Sequence, residues 1–427
     1  LEKTSKIMKL AATLAISTLG FAAADNYAVL VAGSNTFWNY RHQSDVFHAY
    51  NILTTNGMSP DNIIMMAYDD IANDSSNPFP GQVFNHPTDA GTPGVDVYPG
   101  SDAIDYKGDD VTAENFLKVL KGDSSAPGPV LQTTADDMVF VNFVDHGGAG
   151  LIAFPVGDYL YAQDLNDALT YMHDNSMYKE LTFYLEACES GSMFEGILGE
   201  DMNIYATTAA NADEPSWGTY CSPDDSVDGT SIGSCLGDLY SVNWMEDSDK
   251  HTSGETLDDQ LQVVTKLTDK SHVMQYGDSN MGSEQVSEFL GASSLRLPPA
   301  VEDAITRWPT LDSRDATLMY LVNKYQRASE EEHDEILAAI ADETASRERA
   351  DDVFESVVSK VAGEGANLTF DVVTQHQCQK DSVRAAVNAC GRFSDYSLKY
   401  VKSLVSLCEN GHAASTIATA LNEVCSA

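Results

Sequence analysis

Positive charge is scarce in this chain. Lys and Arg total 24 against 65 Asp and Glu, a formal net charge of −41 over 427 residues. That balance argues against nucleic acid and anionic membrane surfaces as main partners, since both would be repelled. It also implies self-repulsion at neutral pH that eases as carboxylates take up protons. An acidic compartment suits such a chain, and a salty habitat would explain the charge equally well. After residue 24 no apolar run reaches the roughly 20 residues that a membrane span needs. CxxC and HExxH are both missing, so zinc ribbons and that type of zinc protease site are not expected. Asp224, Ser226, Asp228 and Gly229 mimic the start of a calcium loop, but position twelve is Cys235 rather than Glu. No metal and no cofactor is expected. Internal repeats are absent as well.

What is present reads as globular: 43% hydrophobic and 21% charged residues, with two domains as the prior for this length. The start, "MKLAATLAISTLGFAAADNYAVL", has Lys9 and then an apolar run from Leu10 to about Ala24. It is read as a secretory signal peptide over residues 1–24, cleaved near Ala24; residues 1–7 precede Met8 and need not be coding. The mature chain is then expected in the secretory pathway, in a vacuole or lysosome or secreted, with no membrane span. Disulfides persist there. Seven cysteines is an odd number. Cys221 and Cys235 bracket a short polar loop, and Cys378, Cys390, Cys408 and Cys425 cluster near the C-terminus. Four cysteines alone allow three pairings. Cys188 is left over. Sequons at Asn73 and Asn367 fit the same compartment.

From residue 26 to about 285, strand and helix signals alternate. "YAVLVAGS", "NIIMMAY", "DMVFVNFV", "LTFYLEA" and "MNIYATTAA" are short apolar runs, read as buried strands. "SDVFHAYNILTTNG", "DDVTAENFLKVLKGD" and "AQDLNDALTYMHDN" lie between them with helical spacing. The pattern predicts a mainly parallel sheet sandwiched by helices. Residues 70–105 read as a long surface loop. Strand signals vanish from 311, and two apolar stripes, Val353 to Val361 and Leu398 to Cys408, predict a small helical bundle stapled by four cysteines. The expected division is a signal over 1–24, an α/β domain over 25–285, a linker over 286–350 and a helical domain over 351–427.

Two predicted strands end in reactive groups. "VFVNFV" runs into Asp145-His146-Gly147-Gly148, and "LTFYLEA" runs into Cys188. In open α/β sheets the functional crevice lies beyond the C-terminal strand ends. If the two strands are neighbours, His146 can turn Cys188 into a thiolate nucleophile. Acyl transfer also needs donors for the oxyanion, and the backbone N–H groups of Gly147 and Cys188 are candidates. Read alone, His146 could be a satisfied structural histidine and Cys188 a small buried hydrophobe. The two together, in a compartment that does not favour an idle thiol, point to a Cys–His hydrolase.

Six blocks, "NYRHQSDVFHAY", "VNFVDHGG", "YLEACESGSMF", "YATTAAN", "LGDLYSVNWMEDSD" and "HVMQYGDSN", resemble the legumain family, the asparaginyl endopeptidases or vacuolar processing enzymes, which are caspase-like cysteine proteases. The resemblance is dense from about 26 to 282 and weaker in the cysteine-stapled region. It implies an endopeptidase cutting after Asn, and after Asp at lower pH, made as an acid-activated zymogen. It implies Cys188 as nucleophile, His146 as acid/base and Asn39 as the residue orienting it. Arg41, Glu186 and Asp238 would form the specificity pocket, and Ser216 and Trp217 would line the substrate groove. Arg41 could donate to a carboxamide oxygen while the two acids accept from its nitrogen. Without the resemblance, Arg41 could be a surface ion pair and the acids merely solvated. Asp145 could form a succinimide, or simply bond nearby backbone. The resemblance also implies the pairs Cys221–Cys235, Cys378–Cys408 and Cys390–Cys425, and a C-terminal prodomain that inhibits the enzyme until acid cleavage, with Asn323 one candidate site. The alternatives are a peptide ligase using the same site and a non-catalytic secreted binding protein. The loop between Cys221 and Cys235 lacks the proline run of the plant enzymes, which leaves ligase efficiency open. Glu189 is assigned no role.

Overall fold

In a computed structural model the chain is described over residues 25–88, 93–250, 254–292 and 308–426. The expected signal peptide lies outside the described residues. The core is a six-stranded sheet of β1 (Asn26–Ala32), β2 (Ile63–Met66), β3 (Met138–Val144), β4 (Glu180–Glu186), β5 (Ile204–Thr208) and β6 (Met274–Gly277), in the order β6-β5-β4-β3-β1-β2. Five strands are parallel and β6 is antiparallel to β5. β1 to β5 match the five apolar runs. β6 (MQYG) was missed, because four half-buried residues with one glycine carry little strand propensity and are fixed by pairing with β5.

Side chains leave the sheet alternately on two faces. Ala28, Leu30, Phe140 and Tyr184 join one core, and Val29, Val31, Val141, Phe143, Phe183 and Leu185 join the other. The first core is covered by α1 (Tyr40–Thr55), and the second by α2 (Ala113–Leu120) and α3 (Ala162–Asp174). The helices α4 (Leu239–Lys250), α5 (Leu257–Leu267) and α6 (Val286–Leu290) complete the first side. Thr112 caps α2 by accepting from the Asn115 N–H, as its position predicted.

Residues 70–105 are irregular but are not a mere surface loop. Val83 and Phe84 are buried, and the Phe84 N–H donates to the Tyr40 hydroxyl at 2.6 Å. Asn77 Nδ2 donates to three backbone carbonyls, which lets a segment without regular structure enter a core. Residues 308–350, expected as linker, are largely ordered too. Thr310–Asp312 forms a short strand against Trp217–Thr219, α7 spans Ala316–Arg327 and α8 spans His333–Ala362. The strand is created by its partner, which is why no sequence signal marks it. Asn323, a candidate cleavage site, lies inside α7 and is buried in the closed chain, so cutting there requires that helix to open first.

The C-terminal bundle contains α9 (His376–Cys390), α10 (Val401–Glu409) and α11 (Ala414–Cys425). Its disulfides are Cys378–Cys408 and Cys390–Cys425, and Cys221–Cys235 closes the earlier loop. Both predicted stripes face inward, with Phe354, Val357, Leu398, Val401, Leu404, Val405 and Cys408 buried. The bundle does not stand apart. Its core includes Ala149, Leu151, Tyr159 and Tyr161 of the α/β domain. Gly148 has no room for a Cβ, which would lie 2.9 Å from the Leu398 carbonyl oxygen. Asn73 and Asn367 are both exposed, so both sequons are open to modification.

Leu404 is fully buried in this shared core. Leu404→Ala is expected to destabilise the bundle by about 2–5 kcal/mol. A drop in the melting temperature of the full chain, followed by calorimetry, checks it.

Candidate active site

Three neighbouring strands, β1, β3 and β4, deliver the site from their C-terminal ends. β3 hands over Asp145 and His146. β4 ends at Glu186 and leads to Cys188. Beyond β1 a short 3-10 turn over Phe37–Asn39 starts α1, which brings Asn39, Arg41 and His42. The first turns of α1 are unusual: Arg41, His42, Gln43, Ser44 and Asp45 are polar yet show 0% exposure. A polar run is buried like this only when partners compensate its desolvation.

Gly147 explains how His146 and Cys188 meet. A Cβ at Gly147 would lie 2.3 Å from the Cys188 carbonyl oxygen and 3.1 Å from Ala187 Cβ. Only glycine allows this approach between the two strand ends. The orientation of His146 follows from Asn39. Arg41 Nη1 donates to Asn39 Oδ1 at 3.3 Å, and Asn39 Nδ2 donates to the Asn35 carbonyl at 3.3 Å. These two contacts fix which way the amide points. Asn39 Oδ1 therefore accepts from His146 Nε2–H, at 2.9 Å. The lone pair is then on Nδ1, which is buried and has no hydrogen-bond partner. This tautomer can accept the thiol proton of Cys188. The Cys188 sulfur accepts from the Ser216 N–H at 3.3 Å and has the Ser216 hydroxyl at 3.7 Å.

Beside it lies a charged pocket. Arg41 Nε donates to Asp238 Oδ1 at 2.8 Å. The Asp238 N–H donates to Asp45 Oδ2 at 3.1 Å, and Asn85 Nδ2 donates to Asp45 Oδ1 at 2.7 Å. Glu186 Oε2 accepts from the Ser241 N–H and hydroxyl at 2.9 and 3.0 Å. Three buried atoms make no hydrogen bond: Arg41 Nη2, Glu186 Oε1 and Asp238 Oδ2, the last lying 3.6 Å from His42 Nε2. Burial pushes the Glu186 carboxyl well up, with Asp238 adding to it; burial raises Asp238 too, against the pull of Arg41.

His42 stacks edge-on against His146 with centroids 4.8 Å apart, and its Nδ1 is 2.7 Å from Ser34 Oγ. Its burial, with Arg41 and His146 nearby, lowers its pKa well below the usual value. Asp145 is packed so tightly that a Cβ on Gly33 would lie 2.5 Å from its Oδ2. Burial raises its pKa well above the ordinary range. His42, Asp145 and His146 bring donor atoms within 4.8 Å of one another, a spacing that could hold a cation. One ring nitrogen of each histidine is already engaged by Ser34 or Asn39.

The C-terminal region closes the site. The Ser313 N–H donates to the Ser216 carbonyl at 3.1 Å, and Asp395 Oδ2 lies 3.4 Å from His146 Nε2. Arg314 pairs with Glu189. Glu189 is therefore engaged, contrary to the expectation that it has no role: it is 3% exposed and its guanidinium partner lies 125 residues away in sequence. Under this cover, burial pushes the Cys188 thiol up to about 12 and pulls His146 down to about 4.

The structure thus brings together Asn39, Arg41, Asp145, His146, Gly147, Glu186, Cys188, Ser216 and Asp238. Trp217 lines the strand that the C-terminal segment pairs with. Sequence reasoning missed His42, Asp45, Asn85, Ser241 and Arg314. His42 and Asp45 lie in the same "NYRHQSD" block as Asn39 and Arg41, and the 41/45 spacing puts two of them one helical turn apart. Nothing local marks Asn85, Ser241 or Arg314.

A free thiol and an imidazole at the ends of neighbouring parallel strands are the parts a cysteine hydrolase needs. The description "Peptidase C13 family" matches residues 26–292, and "Legumain, prodomain" matches residues 338–425. The chain is similar to the vacuolar-processing enzyme of Glycine max, 38% identical over 93% of this chain and 84% of that one. It is also 38% identical to legumain of Canavalia ensiformis, over 93% of this chain and 88% of that one. A likeness to caspase-1 of Spodoptera frugiperda covers 64% of this chain and 92% of that chain, at 10% identity and a TM-score of 0.38. The chain belongs to the peptidase C13, or legumain, family of cysteine endopeptidases, and its C-terminal bundle is a legumain prodomain. No helix among the described residues is long and apolar enough to cross a membrane.

In the closed chain burial pushes the Cys188 pKa up and disfavours the reactive thiolate. Iodoacetamide is therefore expected to label it at least about tenfold more slowly at pH 7.5 in the intact chain than in denatured chain. Mass spectrometry of the Cys188 peptide gives both rates.

Proposed function

We propose that the chain is the zymogen of an endopeptidase that cuts peptide bonds after asparagine, and after aspartate at lower pH. The observation that carries this reading is the set of three unpartnered atoms in the pocket beside Cys188. Arg41 Nη2 is a donor, and Glu186 Oε1 and Asp238 Oδ2 are acceptors. An asparagine carboxamide offers one acceptor oxygen and two N–H donors, so it satisfies all three. Glutamine carries the same group one methylene further out, which a pocket built on fixed buried charges does not accommodate.

Cys188 attacks the carbonyl of that asparagine and His146 Nδ1 takes the thiol proton, later giving it to the leaving amine. Asn39 holds the imidazole. The N–H groups of Gly147 and Cys188 receive the oxyanion. Ser216 and Trp217 hold the substrate backbone. The prodomain segment supports an extended, antiparallel substrate: Leu311 pairs with Gly218 and Asp312 with Trp217, which leaves Ser313 beside Cys188. Ser313 has no carboxamide, so it covers the site without filling the pocket's hydrogen-bonding needs.

An aspartate substrate is repelled while Glu186 and Asp238 are ionised. Both pKa values are raised by burial, so both acids neutralise at a higher pH than ordinary carboxyls, and aspartate becomes acceptable as pH falls through that range. Burial raises the Asp145 pKa, which favours the protonated carboxyl that succinimide closure requires. Release of the prodomain has to break ion pairs as well as apolar packing. Lys402–Asp213 (2.7 Å), Lys380–Asp164 (2.6 Å) and Arg384–Asp158 (2.7 Å) join prodomain cations to catalytic-domain acids. An acidic vacuole or lysosome of the secretory pathway suits this activation.

The test compares wild type, Cys188→Ala and Glu186→Gln after incubation at pH 4, using reporter peptides with Asn or Asp before the cut. Cys188→Ala is expected to be inactive, and activity retained there would sink the mechanism. Glu186→Gln is expected to lower kcat/KM for the Asn peptide about 10- to 100-fold, the effect of losing a charged hydrogen bond. The Asp-to-Asn rate ratio of wild type is expected to rise from pH 6.5 to pH 4; a flat ratio counts against the pocket assignment.

A further inference from the structure

Glu189 follows Cys188 directly and does not belong to the pocket for the asparagine side chain. Its backbone is held in the left-handed region, at φ 50°. A non-glycine residue stays there only when its surroundings fix it. The Glu189 N–H donates to the Glu214 carbonyl at 2.8 Å, and the Glu189 carbonyl accepts from the Ser192 N–H at 2.9 Å and from the Ser192 hydroxyl at 2.5 Å. The carboxylate is thus a rigid, 3%-exposed anion next to the nucleophile.

Its partner identifies the position it reads. The prodomain strand runs Thr310, Leu311, Asp312 against Thr219, Gly218, Trp217, and the Ser313 N–H continues the ladder to the Ser216 carbonyl. Ser216 in turn donates its N–H to the Cys188 sulfur. In a peptide lying this way, residue 313 precedes the bond facing Cys188 and residue 314 follows it. Residue 314 is Arg, and its guanidinium pairs with Glu189 Oε1. Glu189 Oε2 and Arg314 Nε have no partner.

We propose that Glu189 forms a cation-binding subsite on the leaving-group side of the scissile bond, so that the active enzyme prefers Arg or Lys directly after the cleaved asparagine. This rests on the substrate direction given above. The physical need is plain. Burial pushes the Glu189 carboxyl up to about 7, and the cations that oppose this, Arg314 and Lys402, both belong to the C-terminal region. When that region leaves, the buried carboxylate loses its counter-charges. A cationic substrate side chain restores one, and the fork of a guanidinium suits two carboxylate oxygens. Arg314 is then a resident copy of the side chain the subsite selects.

The test uses two quenched-fluorescence peptides that differ only after Asn, one with Arg and one with citrulline, its neutral near-isostere. Full chain is first incubated at pH 4 until active. Initial rates are then read at pH 6.5, where a bound guanidinium favours the ionised carboxylate, and mass spectrometry locates the cut. Wild type is expected to show kcat/KM about tenfold higher for the Arg peptide, the effect of one close charge pair. Glu189→Gln is expected to bring that ratio to about one, and Glu189→Lys to favour Asp over Arg at that position. Equal wild-type rates, or an unchanged ratio in Glu189→Gln, would overturn the subsite while leaving cleavage after Asn intact. Should the variants fail to fold, the wild-type Arg, citrulline and Asp series decides alone. Cuts elsewhere than after Asn in every peptide would overturn the underlying specificity reading and the subsite with it.

Discussion

The Arg41 guanidinium is withdrawn from water and held by Asp238 at 2.8 Å. A buried charge without a partner is costly, so this ion pair constrains everything around it. Asp45 and Asn85 hold Asp238 in turn, through its backbone N–H and the Asp45 carboxylate. That ties the first turns of α1 to the irregular segment after β2 and to the start of α4. The same guanidinium reaches Asn39 Oδ1, which sets the tautomer of His146. One cation therefore shapes both the pocket and the base. This is why a chain so poor in Lys and Arg places one of its 24 where water cannot reach it.

The closed state depends on a second use of scarce cations. Arg314, Lys380, Arg384 and Lys402 all meet acids of the α/β domain. Exposed pairs of this type each contribute little. The shared apolar core around Leu398, Val401 and Leu404 supplies the larger, pH-independent part of the docking. The closed form thus combines a hydrophobic hold with an electrostatic one. Closure also desolvates Cys188 and His146, pushing the thiol and the imidazole toward neutral forms.

Much of the site was legible because its residues sit in contiguous blocks. His146 and Cys188 each follow a run of apolar residues, so their place at strand ends could be read from hydrophobic pattern alone. The odd cysteine pointed the same way, since the other six pair in three disulfides. The segment over 70–105 and the strand Thr310–Asp312 were not legible. Both owe their form to distant partners: Tyr40 and Asp45 for the first, Trp217–Thr219 for the second. Asn323 shows the same limit from the other side, since its burial on the inner face of α7 could not be read from its local sequence.

By itself the sequence determined the mainly parallel sheet, the helical C-terminal bundle and the free thiol. These rest on local periodicity and on residue type, which the chain carries wherever it folds. Only the tertiary structure decided which acids face Arg41, which nitrogen of His146 meets Asn39, and what Glu189 touches. Those depend on side chains 107, 197 and 125 residues apart in sequence meeting within hydrogen-bond distance. Contact at that range is set by packing of whole elements, and no local pattern encodes it.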